Sequence, residues 1–341
     1  MDESRRPRIA VAPMMDWTDR HCRVFLRGFG PDFLLYTEMI TAQALVRGDA
    51  ARLLRHSPEE HPVALQLGGS EPAMLARAAA LGAAAGYEEI NLNCGCPSDR
   101  VHAGTFGACL MLEPARVADC VAAMRAAVDV PVTVKMRIGV IAPGEPAGRE
   151  RLQRFDELAY ERLAAFTAAV AAAGCRTFIV HAREALLAGL SPKENREVPP
   201  LRHAAVARLK AQFPHLAIVL NGGLRTVGQV EAALTWCDGV MLGREAYHRP
   251  IVLAELQQRF GRAGWRQPDP QTLLERMALY AEARLREGES LASITRHMLG
   301  LFAGLPGARE YRRLLSEGAR KPGAGPELLR AAGCCHAAAA A

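Results

Sequence analysis

Short apolar and β-branched runs alternate with alanine-rich segments of helical periodicity through most of the chain. Eight runs predict buried strands, at Ile9–Ala12, Leu34–Glu38, Val63–Leu67, Ile90–Asn93, Val132–Arg137, Phe178–Ala182, Ala217–Asn221 and Gly239–Leu242. The clearest predicted helices between them are Glu71–Gly86, Pro114–Val128, Arg151–Gly174 and Thr226–Cys237. Eight strand–helix repeats over about 250 residues predict a (β/α)₈ TIM barrel rather than an open doubly wound sheet. No G-x-G-x-x-G motif follows the first run, which weakens a dinucleotide-binding fold further.

The pattern changes beyond Phe260, where a connection rich in glycine, proline and glutamine precedes two or three amphipathic helices. The sequence therefore predicts an α/β protein of two units. Residues 1–260 form the catalytic barrel, and residues 268–333 form a separate all-α helical domain. Residues 334–341 are of low complexity, and a frayed tail is expected there.

The composition excludes several classes of protein. Half of the 341 residues are hydrophobic and 23% are charged, which allows one large core and excludes a disordered chain. No apolar run reaches the roughly 18 residues that would span a bilayer, and no signal segment is visible. The nine cysteines lack paired zinc spacings, so no metal site is expected, and with no signal segment visible a reducing cytoplasm is the expected compartment. We also expect a monomer. The net charge of +6 favours an anionic partner.

A thiol and a side-chain amide lie where one predicted strand breaks into a loop, in the stretch Asn91-Leu92-Asn93-Cys94-Gly95-Cys96-Pro97-Ser98. Pro97 forbids continued regular pairing after Cys96. Only one residue separates Cys94 from Cys96, and no second pair follows. A single functional cysteine beside a buried one is therefore favoured over a metal site or a disulfide.

In a (β/α)₈ barrel the active residues project from the carboxyl ends of the strands, so the residues that close the predicted strands form a set. Each alone has a more ordinary structural explanation, but eight together are hard to explain in that way. In chain order they are Pro13, Met14 and Met15; Glu38; Gln66; Asn93 and Cys96; Lys135 and Arg137; His181 and Arg183; Asn221, Gly222 and Gly223; and Gly243 and Arg244. The last two groups can present backbone N–H groups and a guanidinium to a phosphate.

These motifs resemble those of the tRNA-dihydrouridine synthases, flavoenzymes in which the cysteine of an Asn-x-x-Cys-Pro loop acts on uridine. The resemblance covers most of the chain. Besides that loop it rests on Val11-Ala12-Pro13-Met14-Met15-Asp16-Trp17-Thr18-Asp19-Arg20, Leu35-Tyr36-Thr37-Glu38-Met39, Gln66-Leu67-Gly68-Gly69-Ser70 and Arg296-His297-Met298-Leu299-Gly300-Leu301-Phe302.

The resemblance implies a bound FMN, with NADPH or NADH as the reductant. The implied FMN contacts are Pro13, Met14 and Met15 at the ring system, Gln66, Lys135 and His181 at its polar rim, and Asn221, Gly222, Gly223, Gly243 and Arg244 at the phosphate. A cation such as Lys135 would stabilise the anionic reduced flavin.

Cys96 is the implied general acid. A cysteine thiol ordinarily has a pKa of about 8.5 and is mostly protonated near neutrality, which suits a proton donor. The implied reaction adds hydride from reduced FMN to C6 of a uridine and a proton from Cys96 to C5. Asn93, at the strand end before the loop, is expected to orient the pyrimidine edge.

Reaching a base inside folded RNA requires its extrusion, and a basic domain would hold the tRNA during that step. The candidate RNA contacts are Arg183, Lys193, Asn195 and Arg196 around the loop after the sixth strand, and Arg309 and Arg312 in the helical domain. A solvated helix face is the alternative for the last two. The sequences of that loop and of residues 303–309 are similar to those of the A subfamily. This similarity implies uridines 20 and 20a of the D-loop as targets.

Two other functions stay open. One is a small-molecule flavin oxidoreductase on the same barrel, similar to dihydroorotate dehydrogenase; the other is a non-catalytic tRNA-binding protein. Two features depart from the family pattern. Cys94 stands where an aliphatic residue is more common and raises the question of oxidation beside Cys96. The Val140–Arg151 segment is long and rich in glycine and proline, and is expected to affect a rim loop and substrate preference.

Overall fold

The computed structural model describes residues 7–97, 106–142 and 154–340, without the side chains of 334–340. Eight parallel strands form a closed barrel in chain order, with the last strand paired to the first. They are β1 Arg8–Val11, β2 Leu34–Thr41, β3 Val63–Gly68, β4 Glu89–Cys94, β5 Val132–Ile141, β6 Thr177–Leu186, β7 Ala217–Asn221 and β8 Gly239–Leu242. The predicted (β/α)₈ barrel is therefore confirmed.

Helices surround the barrel and continue into a C-terminal helical part. Around the barrel they are α1 Arg20–Arg27, α2 Ala42–Arg47, α3 Ala50–Leu53, α4 Pro72–Ala84, α5 Pro114–Ala127, α6 Glu157–Ala172, α7 His203–Gln212, α8 Val227–Leu234, α9 Arg244–His248 and α10 Ile251–Phe260. Short 3₁₀ turns cover Pro58–Glu60, Gly107–Leu112 and Glu194–Arg196. The helical part comprises α11 Pro270–Arg286, α12 Leu291–Thr295, α13 Ala308–Gly318 and α14 Glu327–Ala340.

Some predicted boundaries need correction. Strands β5 and β6 continue as a pair beyond the rim, where Gly139 pairs with Glu184 and Ile141 with Leu186 after a register shift. The predicted strands ended earlier because the residues at the rim are polar. The backbone of the alanine-rich tail continues α14 to Ala340, in keeping with the high helix propensity of alanine, and the frayed tail stays a prediction. Residues 143–151 of the Gly/Pro-rich segment lie outside the described residues.

The strands β4 and β5 direct polar side chains into the barrel. Ile90, Leu92 and Cys94 of β4 belong to the apolar cluster between the strands and the helices. Because side chains alternate between the two faces of a strand, the residues between them face the barrel interior. These inward residues are Glu89, Asn91 and Asn93 on β4 and Thr133, Lys135 and Arg137 on β5. The barrel interior therefore has a polar side that leads to the carboxyl ends of the strands.

The helical part packs on α1 and on the loop that follows β1. Leu273 and Met277 of α11 share an apolar cluster with Phe25 of α1. Asp19, the N-cap of α1, accepts hydrogen bonds from Arg296 at 2.6 Å and from His297 at 2.9 Å. Despite burial, which acts in the opposite direction, these bonds hold the pKa of Asp19 well below its ordinary value. The helical part is thus tied to the carboxyl end of the barrel strands. Within the described residues, no helix is long and apolar enough to cross a membrane.

Candidate active site

The strand register brings the predicted strand-end residues together at one mouth of the barrel. Asn93 of β4 pairs with Lys135 of β5. His181 of β6 pairs with Arg137 on one side and with Asn221 of β7 on the other. Parallel strands place these positions side by side at the carboxyl end, where TIM barrels carry their active sites.

The loop that carries Cys96 is held by the side chain of Asn93. The amide oxygen of Asn93 accepts hydrogen bonds from the backbone N–H groups of Gly95 and Cys96, each at 3.0 Å. The Asn93 Nδ2 group donates to Gln66 Oε1 at 2.9 Å, and the carbonyl of Cys96 accepts from Ala108 N at 2.9 Å. The amide oxygen of Asn93 therefore shapes the Cys96 loop, and the expected role of Asn93 in orienting a pyrimidine stays a prediction.

Cys94 and Cys96 differ in accessibility. Cys96 is partly exposed at the barrel mouth, whereas Cys94 is fully buried in the layer between strands and helices. Burial raises the pKa of the Cys94 thiol well above its ordinary value, so it stays protonated and unreactive. Neither thiol forms a disulfide within the described residues. The arrangement agrees with one accessible cysteine beside a buried one, and leaves Cys94 with a packing role.

Two titratable groups beside the Cys96 loop are perturbed by burial. Burial, together with the neighbouring Arg137 guanidinium, lowers the pKa of Lys135 to about 8. Burial and the cations Arg137 and Lys135 hold the pKa of His181 well below its ordinary value, so its imidazole is neutral. The Nδ1 atom of His181 is buried and has no hydrogen-bond partner among the described residues. A ligand atom at the mouth could satisfy it, since buried polar atoms are rarely left unpaired.

The loop after β7 depends on two glycines with left-handed backbone conformations. Gly222 has φ of 109° and Gly223 has φ of 80°. A Cβ atom at Gly222 would lie 3.3 Å from the His181 ring. Neither backbone N–H group forms a hydrogen bond within the part of the chain that the structure describes. The Asn221 side chain donates to the carbonyl of Met241 at 2.7 Å and so fastens β7 to β8, while its contact with FMN stays a prediction.

The loop after β1 lies against the loop after β8. A Cβ atom at Gly243 would lie 3.8 Å from Met14 Sδ. The Met14 N–H group donates to Thr18 Oγ1 at 2.9 Å, and the Asp16 N–H group donates to the Glu38 carboxylate. Met15 is 56% exposed although it is apolar. The predicted methionine surface of Pro13, Met14 and Met15 is therefore a fixed turn beside the glycine loops.

Arg137 is a residue of the site for which the sequence suggested no role beyond its strand-end position. It is 4% exposed, and it donates hydrogen bonds to the carbonyls of Gly95 at 3.0 Å, Glu184 at 3.0 Å and Asn195 at 2.8 Å. Burial lowers its pKa to about 10, so it remains a cation. Arg137 therefore ties the Cys96 loop to the loop after β6. The feature of the sequence that indicates this role is the position of Arg137 two residues beyond Lys135, on the same inward face of the strand.

The predicted RNA contacts in the loop after β6 differ in their exposure to solvent. Lys193 and Arg196 are exposed. Asn195 is fully buried, where it donates to Leu186 O at 3.0 Å and accepts from Leu186 N at 2.8 Å. The prediction that Asn195 contacts RNA is thus wrong, because its amide closes the loop from inside.

Two arginines beside that loop, Arg183 and Arg244, form hydrogen bonds or ion pairs with its residues. Arg183 donates to the carbonyls of Pro199 and Glu197. Arg244, predicted at the FMN phosphate, forms an ion pair with Glu197 at 2.7 Å and donates to Arg196 O at 3.3 Å. In this conformation Arg244 therefore supports the loop after β6 with its side chain.

The helical part presents an exposed basic face. Arg309, Arg312 and Ser316 are exposed on α13, and their spacing of three and four residues places them on one side of the helix. Arg320 follows the helix and, with Ser316 and Arg296, lines a cleft of about 340 Å³. Arg309 and Arg312 form no ion pair within the described residues.

Among the described residues, no group of three or more histidine, cysteine or acidic side chains could hold a metal ion. The candidate site is therefore built from one thiol, the half-buried Lys135, the buried Arg137, a neutral histidine and glycine loops.

Known proteins are similar to this chain in sequence or in fold. The profile of the dihydrouridine synthase (Dus) family matches residues 10–334. Proteins named tRNA-dihydrouridine(20/20a) synthase are 54% identical in Xanthomonas axonopodis pv. citri (95% of this chain, 92% of that protein), 54% in Pseudomonas putida (91% and 88%) and 52% in Vibrio cholerae (95% and 95%). A solved morphinone reductase variant in complex with tetrahydroNAD has a TM-score of 0.51 and 13% identity over 78% of this chain and 90% of that one, which shows the fold alone. The chain belongs to the dihydrouridine synthase family.

Proposed function

We propose that this protein is an FMN-dependent enzyme that reduces uridines 20 and 20a of the tRNA D-loop to 5,6-dihydrouridine, with NADPH as the reductant. The observation that carries the proposal is the partly exposed Cys96 thiol at the barrel mouth, on a loop held by Asn93 beside Lys135 and His181. The family match and the similar proteins named tRNA-dihydrouridine(20/20a) synthase supply the substrate. Dihydrouridine formation in purified tRNA, measured with enzyme, FMN and NADPH, tests it.

The residues at the mouth fit FMN. The N–H groups of Gly222, Gly223 and Gly243 can hold the phosphate, because glycine permits close approach and these donors have no partner within the described residues. The unpartnered His181 Nδ1 can accept or donate one further hydrogen bond, according to its tautomer. Exposed Met15 offers an apolar contact for a ring system. Bound FMN, once reduced by NADPH, supplies the hydride for C6 of the uracil ring.

Cys96 supplies the proton of the reaction. Its thiol donates a proton to C5, so that the ring gains a hydride and a proton in total, and the thiolate recovers its proton from solvent. The Lys135 ammonium next to this loop stabilises negative charge that develops at the reacting groups. Arg137 and Asn93 hold the loop from two sides, which fixes the position of Cys96 relative to the glycine loops.

The tRNA is held by two exposed basic groups of residues. Lys193 and Arg196 rise from the loop after β6, close to the mouth. Arg309 and Arg312 lie on α13, and the contacts of Asp19 with Arg296 and His297 join this helical part to the barrel. Arginine and lysine side chains that contact phosphates provide affinity without reading sequence.

Replacing both Arg309 and Arg312 with alanine should weaken tRNA binding and reduce its dependence on salt. Two lost phosphate contacts correspond to a decrease of roughly 1.5 in the slope of log affinity against log salt. The affinity is measured at several salt concentrations, with NADPH-dependent flavin reduction as a control that should not change. Arg77→Ala with Arg162→Ala, two exposed arginines on α4 and α6, is the matched control. An unchanged slope would mean that the α13 face is merely solvated. RNA binding would then be assigned to Lys193 and Arg196.

The affinity of the apoprotein for FMN should fall as the pH rises through about 8. Lys135 is charged below its pKa of about 8 and neutral above it, and an anionic ligand binds the charged form more tightly. A loss of about fivefold corresponds to roughly 1 kcal/mol of attraction. FMN titrations between pH 6.5 and 9.5 measure the effect. Lys135→Met should bind FMN more weakly at neutral pH and without this step; a step of equal size in that variant would assign the titration to another group.

The family match sets aside the two other functions. A non-catalytic tRNA-binding protein would not need Cys96 or the glycine loops, and a small-molecule flavin oxidoreductase would not need the exposed face of α13. Bound flavin together with RNA-dependent turnover would distinguish the proposed function from both.

A further inference from the structure

A chain of buried hydrogen bonds begins at the end of the barrel opposite to the active site. Glu89, at the start of β4, forms an ion pair with Arg8 and accepts a hydrogen bond from the Tyr36 hydroxyl. Its carboxylate also accepts from Thr133 Oγ1 at 2.7 Å. The Thr133 oxygen in turn accepts from Asn91 Nδ2 at 2.8 Å. Glu89, Thr133 and Asn91 are at most 3% exposed, so these bonds are shielded from solvent.

The chain continues to the Cys96 loop without a break. The Asn91 amide oxygen accepts from Gln66 Nε2 at 2.8 Å, and the Gln66 amide oxygen accepts from Asn93 Nδ2 at 2.9 Å. The Asn93 amide oxygen accepts from the backbone N–H groups of Gly95 and Cys96 at 3.0 Å. The hydrogen bonds therefore connect the base of β4 with the backbone of the reactive cysteine.

Every link in this chain has the same direction, and Glu89 sets it. A carboxylate that pairs with Arg8 only accepts hydrogen bonds, so the single hydroxyl proton of Thr133 points to Glu89. The Thr133 oxygen is then an acceptor, which turns the amino group of Asn91 toward it. The Asn91 amide oxygen then faces the amino group of Gln66, and the Gln66 amide oxygen faces the amino group of Asn93.

The direction matters at the last link. With its oxygen toward the loop, Asn93 accepts from two backbone N–H groups. With the amide reversed, its amino group would face the N–H groups of Gly95 and Cys96, and donors would oppose donors. Buried amide groups without hydrogen-bond partners are destabilising. The orientation of Asn93 therefore decides whether the Cys96 loop keeps its shape.

We propose that Glu89, Thr133 and Asn91 are positioning residues that act through the amides of Gln66 and Asn93 to fix the Cys96 loop. None of the three reaches the barrel mouth, and none needs to touch a substrate or cofactor. The inference rests on the proposed function for its effect on the reaction, but the geometry of the loop can be measured without it.

The test removes one hydroxyl from the chain. Thr133→Val leaves Asn91 Nδ2 without its acceptor and frees the Asn91 amide to turn. Thr133→Ser retains the hydroxyl and should restore the native behaviour. Thr167→Val is the matched control, because Thr167 is a fully buried threonine of α6 whose hydroxyl, within the described residues, bonds only to the Leu163 carbonyl.

Hydrogen–deuterium exchange of the peptide that contains Gly95 and Cys96 gives the first readout. In Thr133→Val these two amides should exchange faster than in the wild type. In Thr133→Ser and Thr167→Val they should exchange at the wild-type rate. The second readout is single-turnover dihydrouridine formation, which should slow about tenfold in Thr133→Val with unchanged tRNA affinity and flavin content.

Equal exchange and equal turnover in Thr133→Val and Thr167→Val would overturn the inference, as would a failure of Thr133→Ser to restore either readout. If Thr133→Val does not fold, Glu89→Gln replaces it; its amide can donate to Thr133 and so removes the fixed direction, and it should loosen the same two amides. A wild-type enzyme without dihydrouridine formation would refute the proposed function, while the exchange measurement would still decide on the positioning residues.

Discussion

Replacing Cys96 with alanine should lower dihydrouridine formation by roughly 100-fold or more, the usual scale for the loss of a positioned general acid. Flavin content and NADPH oxidation should remain close to wild type, because the glycine loops, Lys135 and His181 do not depend on the thiol. Single-turnover reduction of uridine in tRNA, compared with the rate of flavin reduction on the same preparation, measures the two steps separately.

Cys94→Ala is the control for this experiment. Cys94 is buried among apolar residues and its thiol stays protonated, so the substitution should reduce stability through a small cavity and leave turnover nearly unchanged. Equal loss of turnover in the two variants would show that the division between a reactive and a packing cysteine is wrong. The same burial answers the question of oxidation, since Cys94 is not available to pair with Cys96.

Gly222→Ala should weaken FMN binding by at least about tenfold. The φ of 109° at Gly222 lies where residues with a Cβ atom are strained by about 1–3 kcal/mol, and a tenfold loss corresponds to about 1.4 kcal/mol. The added methyl group would also press on the His181 ring at 3.3 Å. Fluorescence titration of the apoprotein with FMN gives the dissociation constant directly.

Gly228→Ala provides the comparison. Gly228 lies in α8 just beyond the same loop, and a Cβ atom there would meet no atom within 4 Å. Its FMN affinity should equal that of the wild type, and its stability should rise slightly because alanine favours helix. Unchanged FMN affinity in Gly222→Ala would remove the loop after β7 from the cofactor site.

The barrel could be predicted from the sequence because each strand is a short apolar run and each connection carries helical periodicity. β7 and β8 have the predicted bounds, since turn residues and glycines mark both ends. The predicted mouth also follows from topology alone. Once the strands are parallel and closed, all eight carboxyl ends must meet, so the thiol, Lys135 and His181 become neighbours.

The interior of the barrel was less accessible to prediction. β4 was predicted as an apolar strand from Ile90, whereas it starts at the buried Glu89 and alternates polar with apolar residues. A buried carboxylate is expected only where a partner exists, and its partner Arg8 is 81 residues away in the chain. The alternation Glu89, Asn91, Asn93 was the available signal for an inward polar face.

Loop side chains were the hardest to assign. Asn195 stands in a polar stretch that looks like a surface contact, yet its amide pairs with both backbone groups of Leu186. Arg137 joins two loops whose carbonyls are 42 and 58 residues away in sequence. Local composition contains no information about such distant partners, so polar residues near a site can equally be ligands or supports.

Mapping dihydrouridine in tRNA decides whether this protein modifies uridines 20 and 20a. The measurement compares a strain that lacks this gene with the same strain carrying wild-type protein or Cys96→Ala. We expect unmodified uridine at positions 20 and 20a without the gene, dihydrouridine at these positions with the wild type, and little or none with Cys96→Ala. Normal dihydrouridine at positions 20 and 20a in the strain without the gene, or full restoration by Cys96→Ala, would contradict this expectation.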